Sequence, residues 1–121
     1  MKKTSICVVS GSRSEYGILK PLLHNLNQND KFNLQLLITG SHLSNEFGMT
    51  VKEVENDNFN IDKKIEMLIS SDTEIGISKS VGLGVISFSE ALKDLSPDLV
   101  LILGDRYEIF AAAISSMILN I

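Results

Sequence analysis

Short apolar runs alternate with segments of helical spacing along the chain, and this alternation constrains the fold more than any other feature. The runs are rich in valine, isoleucine and leucine, as is typical of parallel strands buried on both faces. The segments between them place apolar residues three and four positions apart, as one face of a helix requires. Predicted strands cover residues 5–10, 32–39, 60–68 and 99–103, and predicted helices cover 15–29, 44–57, 73–95 and 108–119. Strict alternation predicts an α/β fold with a doubly wound parallel sheet and right-handed crossovers.

Charge and cysteine content exclude several classes of function. The 11 Lys and Arg residues against 15 Asp and Glu give a net charge of −4, so the chain lacks the basic footprint of a nucleic-acid-binding protein. The single cysteine, Cys7, cannot form an internal disulfide and lies in an apolar run, so it is predicted to be a buried core residue. The first apolar run stops at Ser10 and Gly11, too early for a signal peptide, and the apolar stretch 109–121 is shorter than the ~20 residues of a membrane span. We therefore expect a cytoplasmic protein with no membrane segment.

Two predicted strands end in the same short pattern. Residues 11–15 (GSRSE) and 104–108 (GDRYE) both read Gly-[Ser/Asp]-Arg-x-Glu. In each, the glycine permits a sharp turn, Ser12 or Asp105 is suited to cap the next helix, and the glutamate completes the spacing of a capping box. The pattern predicts two similar turns, each leading from a strand into a helix.

The two turns are predicted to meet if the first and fourth strands are neighbours, as in a doubly wound sheet of the usual order. Ligands of such sheets bind in the crevice between the carboxyl ends of these two strands. Arg13, Arg106 and two helix amino termini would then share one cleft suited to an anion such as a pyrophosphate. Either turn alone is better explained as an ordinary capping box with a solvated or paired arginine, but the repetition favours an anion site.

The absence of two phosphate-binding motifs limits the kinds of phosphate ligand that the cleft is expected to bind. Neither the Walker pattern nor the glycine-rich dinucleotide fingerprint is present, and the second strand ends in Thr39 and Gly40 where a ribose-binding acid is expected. Kinases, GTPases and hydride-transfer enzymes are therefore disfavoured. His42 follows the same strand and is either a cleft residue or an ordinary loop histidine. No cluster of potential ligands has metal-site spacing, so no metal is predicted.

The segments around these turns closely resemble the hydrolysing UDP-N-acetylglucosamine 2-epimerases, particularly those that make N-acetylmannosamine for sialic or related nonulosonic acids. The matching segments follow one another in order through the whole chain. They are GSRSEYGILKPL at 11–22, TGSHLSNEFGMT at 39–50, DNFNI at 57–61, SVGLG at 80–84 and LGDRYEIFAAA at 103–113.

This resemblance implies a glycosyltransferase-B-like enzyme whose active site lies between two Rossmann-like domains. Residues 1–121 would be a partial amino-terminal Rossmann-like domain, and the carboxyl-terminal nucleotide-binding domain would be absent. The implied reaction removes a proton from carbon 2 of the sugar and releases UDP, which leaves a glycal. Water then adds with the opposite configuration at carbon 2. No cofactor is implied, the partner is a UDP-sugar substrate, and the full-length enzyme is expected to be a homo-oligomer.

The resemblance also assigns roles to five residues. Asp105 matches the family's catalytic aspartate and is expected to act as an acid or base. Arg13 is expected to contact the UDP phosphates or uridine, and Arg106 to hold the nucleotide. Gly17 would allow close backbone approach, and His42 would lie near the sugar.

Other functions are compatible with the same residues. An epimerase of UDP-diacetamido-trideoxy sugars would keep the fold and change the sugar. A glycosyltransferase domain would yield a glycoside, and a regulatory nucleotide-binding domain would not need Asp105. Glu108 fits a capping box better than catalysis, and Asp105 could also cap its helix and pair with Arg106. The 121-residue chain alone is expected to be inactive because most of the family's nucleotide contacts lie beyond Ile121.

Overall fold

A four-stranded parallel sheet organises the chain, and the computed structural model describes residues 2–44, 47–69 and 71–121. The strands are β1 (Thr4–Ser10), β2 (Phe32–Thr39), β3 (Lys63–Ile65) and β4 (Leu99–Leu101). The helices are α1 (Arg13–Gln28), α2 (Val51–Asn56), α3 (Glu74–Leu95) and α4 (Tyr107–Ile118), with a 3₁₀ helix at Gly40–Leu43. The strand order is β3-β2-β1-β4, and β1 pairs in parallel with both β2 and β4. The predicted parallel α/β fold and the adjacency of the first and fourth strands are confirmed.

The two faces of the sheet hold separate cores, because successive side chains of a strand point to opposite faces. Val8 packs with α1 and α2 on one face, whereas Cys7 and Val9 pack with α3 and α4 on the other. Cys7 is completely buried, as predicted, and its burial raises the pKa of the thiol to about 12. Helices therefore cover both faces, as in a doubly wound sheet.

The predicted helix over 44–57 is wrong in its first half. α2 begins only at Val51, because Gly48 and Met49 have φ angles of 82° and 48°, which an α-helix cannot contain. In the predicted helix over 44–57, the apolar residues Phe47, Val51 and Val54 are expected to form the inward face. Val51 and Val54 are buried, but Phe47 is 58% exposed. Residues 45 and 46 of that predicted helix lie outside the described residues.

The third and fourth strands are shorter than predicted, because each is hydrogen-bonded on one side only among the described strands. β3 pairs with β2 at three positions, from Leu37 opposite Lys63 to Thr39 opposite Ile65. β4 pairs with β1 at three positions as well, and its polypeptide leaves the sheet at Ile102. β3 and β4 are therefore the edge strands of the described sheet.

By length and composition alone, α3 is long and apolar enough to cross a bilayer, whereas the sequence predicted no membrane segment. Its Phe88 and Leu92 are nevertheless buried in the core between the sheet and α4. This packing explains part of its apolar composition. Ile75 and Ile86 of the same helix are exposed.

Candidate functional site

Glycines stand at the carboxyl ends of three neighbouring strands. Gly11 follows β1, Gly40 follows β2 with a φ of 63°, and Gly104 lies after β4 with a φ of 99°. A Cβ added to Gly40 would lie 2.6 Å from the carbonyl oxygen of Gly11 and 3.0 Å from Cγ of Glu108. Both the left-handed backbone and the lack of space therefore require glycine at position 40.

A cleft of about 490 Å³ opens at these strand ends, within the size range of small-molecule sites. It lies between the β1–α1 turn, the β4–α4 turn and the segment after β2. Its lining residues are Ser12, Arg13, Ser14, Glu15, Ser41, Phe47, Thr50, Gly104, Asp105 and Arg106. The prediction that Arg13 and Arg106 share one cleft is therefore confirmed.

The first of the two turns forms the predicted cap. Ser12 is the N-cap of α1, and its hydroxyl oxygen accepts a hydrogen bond from the Glu15 N–H at 3.4 Å. Glu15 reaches one residue further back than a standard capping box, since its Oε1 accepts from the Gly11 N–H at 2.8 Å. Burial is the main cause of a raised pKa for Glu15, and the nearby carboxylate of Glu108 adds to it.

The second turn does not repeat this arrangement. The N-cap of α4 is Arg106, without a side-chain capping bond, so the prediction that Asp105 caps the helix is wrong. The predicted pairing of Asp105 with Arg106 is also wrong, because Arg106 pairs with Glu108. Asp105 is exposed at the cleft and makes no hydrogen bond or ion pair with any other described residue. Its carboxylate is available for a ligand.

Arg106 is held by a buried carboxylate. Its Nε donates to Oε2 of Glu108 at 3.0 Å and its Nη2 donates to Oε1 at 3.1 Å. The Glu108 side chain is completely buried, whereas the Arg106 side chain is 45% exposed. This hydrogen-bonded pair is the main cause of a raised pKa for Arg106. Glu108, predicted to complete a capping box, instead pairs with the guanidinium group at the cleft wall.

Arg13 has a much weaker partner. Its Nε lies 2.9 Å from Oε1 of Glu53 on α2, and the two side chains are 72% and 45% exposed. An exposed pair of this kind contributes about 0–1 kcal/mol. Arg13 can therefore exchange Glu53 for a ligand at little cost.

His42 lies in the interior beneath the cleft and is completely buried. Its Nε2 is 2.9 Å from Oγ of Ser10 and its Nδ1 is 2.9 Å from Oγ1 of Thr50, a residue that lines the cleft. Burial lowers the pKa of His42 to about 4, so the ring is neutral at pH 7. His42 is absent from the cleft lining, and its assignment as a sugar contact stays a prediction.

Gly17 lies on an exposed part of α1, one turn beyond the cleft. A Cβ added to it would meet nothing within 4 Å. No described residue packs against Gly17, so the close backbone approach expected there stays a prediction. Within the described ranges, no three side chains of His, Cys, Asp or Glu lie close enough together to hold a metal ion.

Sequence reasoning missed the partners of both arginines. Glu53 lies 40 positions after Arg13, and nothing in the local pattern connects them. Glu108 was visible as the last residue of the repeated pattern, but the capping-box spacing favoured a backbone partner. Both glutamates are buried, and only their partners distinguish them: Glu15 accepts from the Gly11 N–H, whereas Glu108 accepts from Arg106.

Fold and site together define a Rossmann-like α/β domain with a cleft lined by two arginines at its topological switch point. Residues 24–121 match the sequence pattern of the family described as UDP-N-acetylglucosamine 2-epimerase, and the chain belongs to this family.

Two curated relatives match the chain over its whole length. The GDP/UDP-N,N′-diacetylbacillosamine 2-epimerase (hydrolyzing) of Campylobacter jejuni is 44% identical over 121 residues, which are all of this chain and 31% of the relative. The polysialic acid biosynthesis protein P7 of Escherichia coli is 40% identical over 121 residues, which are 30% of its length. The chain thus spans less than a third of the length of these relatives.

Solved structures match the fold closely. A crystal structure of UDP-N-acetylglucosamine 2-epimerase superposes with a TM-score of 0.83 at 21% identity, over 99% of this chain and 32% of that one. The Neisseria meningitidis enzyme, solved with UDP-GlcNAc bound, superposes with a TM-score of 0.82 at 20% identity, over 98% of this chain and 30% of that one. At this identity the likeness concerns the fold alone, and it confirms the predicted Rossmann-like, glycosyltransferase-B-like class.

Proposed function

We propose that this chain is the amino-terminal part of a hydrolysing 2-epimerase acting on a nucleotide-linked 2-acetamido sugar. The observation that supports this most is the shared cleft, where Arg13, Arg106 and Asp105 converge at the ends of β1 and β4. Two guanidinium groups suit the two phosphates of a nucleoside diphosphate. A carboxylate without a partner among the described residues suits proton transfer beside them.

The roles follow from the charge changes of the reaction. Loss of the carbon 2 proton and departure of UDP leave a glycal, and water then supplies a hydroxyl to carbon 1 and a proton to the opposite face of carbon 2. Arg13 and Arg106 stabilise the diphosphate as it gains charge. Asp105 acts as the acid or base at the sugar. His42 supports Thr50 at the cleft and lies near the sugar, and Gly17 permits close approach of backbone or ligand.

UDP-N-acetylglucosamine is the substrate that the sequence resemblance indicates, with N-acetylmannosamine and UDP as products in sialic or other nonulosonic acid synthesis. The name of the Escherichia coli relative, a polysialic acid protein, is in keeping with that pathway. The enzyme is proposed to be cytoplasmic, homo-oligomeric in its full-length form, and independent of a cofactor.

A second substrate is favoured by two relatives. The Campylobacter jejuni protein and one from Legionella pneumophila, 36% identical over 116 residues, are both named diacetylbacillosamine 2-epimerases. UDP-N,N′-diacetylbacillosamine differs from UDP-N-acetylglucosamine in the sugar and not in the diphosphate, so the arginine cleft suits both.

The test uses the full-length protein that carries this segment, incubated with each UDP-sugar in turn. Nuclear magnetic resonance would follow the release of UDP and of a free 2-epimerised sugar, and the faster substrate identifies the pathway. A glycosidic product would instead indicate a glycosyltransferase. Binding of UDP without turnover of either sugar would indicate a regulatory domain.

Asp105→Asn tests the catalytic assignment in the same assay. We expect kcat to fall at least about 100-fold, which is the usual contribution of a general acid or base, while UDP affinity and Tm stay unchanged. Asp30→Asn makes the same chemical change at an exposed site in the turn after α1 and is expected to have no effect. Near-normal turnover by Asp105→Asn would refute the role of Asp105.

A further inference from the structure

Glu108 is a buried carboxylate directly below the cleft. It lies in the first turn of α4 and its side chain is completely buried, with both oxygens occupied by Arg106. Burying a carboxylate is costly unless it is paired, so Glu108 and Arg106 depend on each other. A smaller apolar side chain at position 108 would avoid this cost, but it could not accept hydrogen bonds from Arg106.

The chain makes room for Glu108 with two glycines on two other strand ends. A Cβ added to Gly11 would lie 3.4 Å from Cβ of Glu108, and one added to Gly40 would lie 3.1 Å from its Oε1. Glu108 is therefore enclosed by backbone from the ends of β1 and β2. Its carboxylate cannot follow Arg106 if the guanidinium group moves, so Arg106 is held to a fixed position.

The geometry of the pair leaves part of Arg106 free for a ligand. A guanidinium group has five N–H donors, of which Glu108 takes one on Nε and one on Nη2. The remaining three, on Nη1 and Nη2, make no hydrogen bond with any residue in the described ranges. Arg106 lines the cleft and is 45% exposed, so these donors are accessible to a diphosphate.

We propose that Glu108 is the positioning residue of this site: it holds one edge of the Arg106 guanidinium group so that the remaining donors meet the diphosphate of the substrate. This inference rests on the proposed function. Arg13, whose exposed partner Glu53 is on a different helix, has no comparable anchor. The two arginines that look equivalent in the sequence would thus act differently, one fixed and one mobile.

Positioning and simple charge repulsion predict opposite changes in UDP affinity for the variant Glu108→Gln. Glu108 is negative and lies next to the cleft, so charge alone predicts that Glu108→Gln tightens the binding of UDP. Positioning predicts the opposite, because an amide presents one acceptor and one donor and cannot hold both N–H groups of Arg106. We expect Glu108→Gln to weaken UDP binding about tenfold, measured by isothermal titration calorimetry on the full-length protein.

A nucleoside control separates positioning from a general loss of structure. Uridine lacks the diphosphate, so its affinity should be unchanged in Glu108→Gln, whereas a damaged fold would lower both affinities equally. Arg106→Ala should weaken UDP binding at least as much, and adding Glu108→Gln to Arg106→Ala should weaken it no further. Glu90→Gln, at an exposed site on α3, is the matched control and should bind UDP like the wild type.

If Glu108→Gln does not fold, Arg106→Lys gives the second test. Lysine keeps the charge beside Glu108 but lacks the planar set of N–H donors that can bind Glu108 and a phosphate at the same time. This variant should also lose about tenfold in UDP affinity and none for uridine. UDP affinity equal to or above that of the wild type in either variant would overturn the positioning role. A wild-type protein that fails to bind UDP would overturn the proposed function as well, so the two failures are distinguishable.

Discussion

Two arginines from the same five-residue pattern have different surroundings in the folded chain. Arg13 is mostly exposed and pairs with an exposed glutamate, whereas Arg106 pairs with a completely buried one. An exposed pair contributes at most about 1 kcal/mol, but leaving Glu108 unpaired would cost several. The first arginine is therefore free to rearrange on binding, and the second is part of the fixed structure.

At the same scale, His42 makes the fold sensitive to acid. Its pKa is lowered to about 4 by burial, from an ordinary value near 6.5, so the folded state favours the neutral ring. Its contribution to stability is complete above about pH 6.5 and is lost as the pH falls toward 4, with about 2 kcal/mol lost by pH 5. Unfolding by urea at pH 7.5 and pH 5 would measure this loss.

Two variants separate His42 from the carboxylates that also titrate in this range. His42→Gln should show a smaller loss of stability between the two pH values. His24→Gln, on an exposed position of α1, should keep the wild-type pH dependence. Equal pH dependence in all three proteins would contradict the assignment to His42.

At the scale of helices and strands, α3 and α4 pack closely through small residues. A Cβ added to Gly84 of α3 would lie 3.0 Å from Cβ of Ala111 on α4 and 2.6 Å from Cε of Met67. Met67 can move, but Ala111 is fixed to its helix, so the two helices would have to separate. Gly82, two residues earlier, faces open space.

These two glycines provide a matched pair of substitutions in one helix. Gly84→Ala should destabilise the protein by about 1–2 kcal/mol net, because overpacking outweighs the gain in helix propensity. Gly82→Ala should stabilise it by about 0.5–1 kcal/mol, because alanine reduces the entropy of the unfolded chain and meets no neighbour. Chemical denaturation measures both, and the same sign for the two variants would contradict the packing argument.

At the scale of the whole molecule, several large apolar side chains remain exposed. Phe110, Met117 and Ile118 of α4 are exposed, and so is Leu99 on β4, whose outer edge pairs with no strand in the described ranges. The relatives are about three times as long as this chain. Residues that line the cleft, such as Arg13 and Asp105, are exposed, so a ligand held by this chain alone would stay open to solvent.

We therefore expect the 121-residue chain by itself not to turn over UDP-N-acetylglucosamine, because a site open to water stabilises developing charge poorly. Chromatography of the sugar products would measure this, with the full-length protein as the positive control. Release of N-acetylmannosamine by the isolated chain, above a matched Asp105→Asn sample, would contradict the expectation.

The alternation of strand-like apolar runs with segments of helical spacing determined most of the fold. Phe32–Thr39 was predicted to the residue, and α1, α3 and α4 were predicted within two residues at each end, because strands buried on both faces appear as continuous apolar runs and amphipathic helices as a pattern of period 3.6. The repeated turn pattern determined that Arg13 and Arg106 face one cleft, once the strand order was known. Cys7 was correctly predicted to be buried for the same local reason.

The partners of the charged and polar groups were decided only by the tertiary structure. Whether Asp105 or Glu108 meets Arg106, and whether His42 lines the cleft or lies beneath it, depends on how the ends of β1, β2 and β4 pack together. Phe47 and the late start of α2 depend likewise on the backbone turn at Gly48 and Met49. A local pattern indicates which charged and polar groups need a partner. Which partner each group meets depends on burial and on distances between strands, because the energy of a charged pair depends on its surroundings.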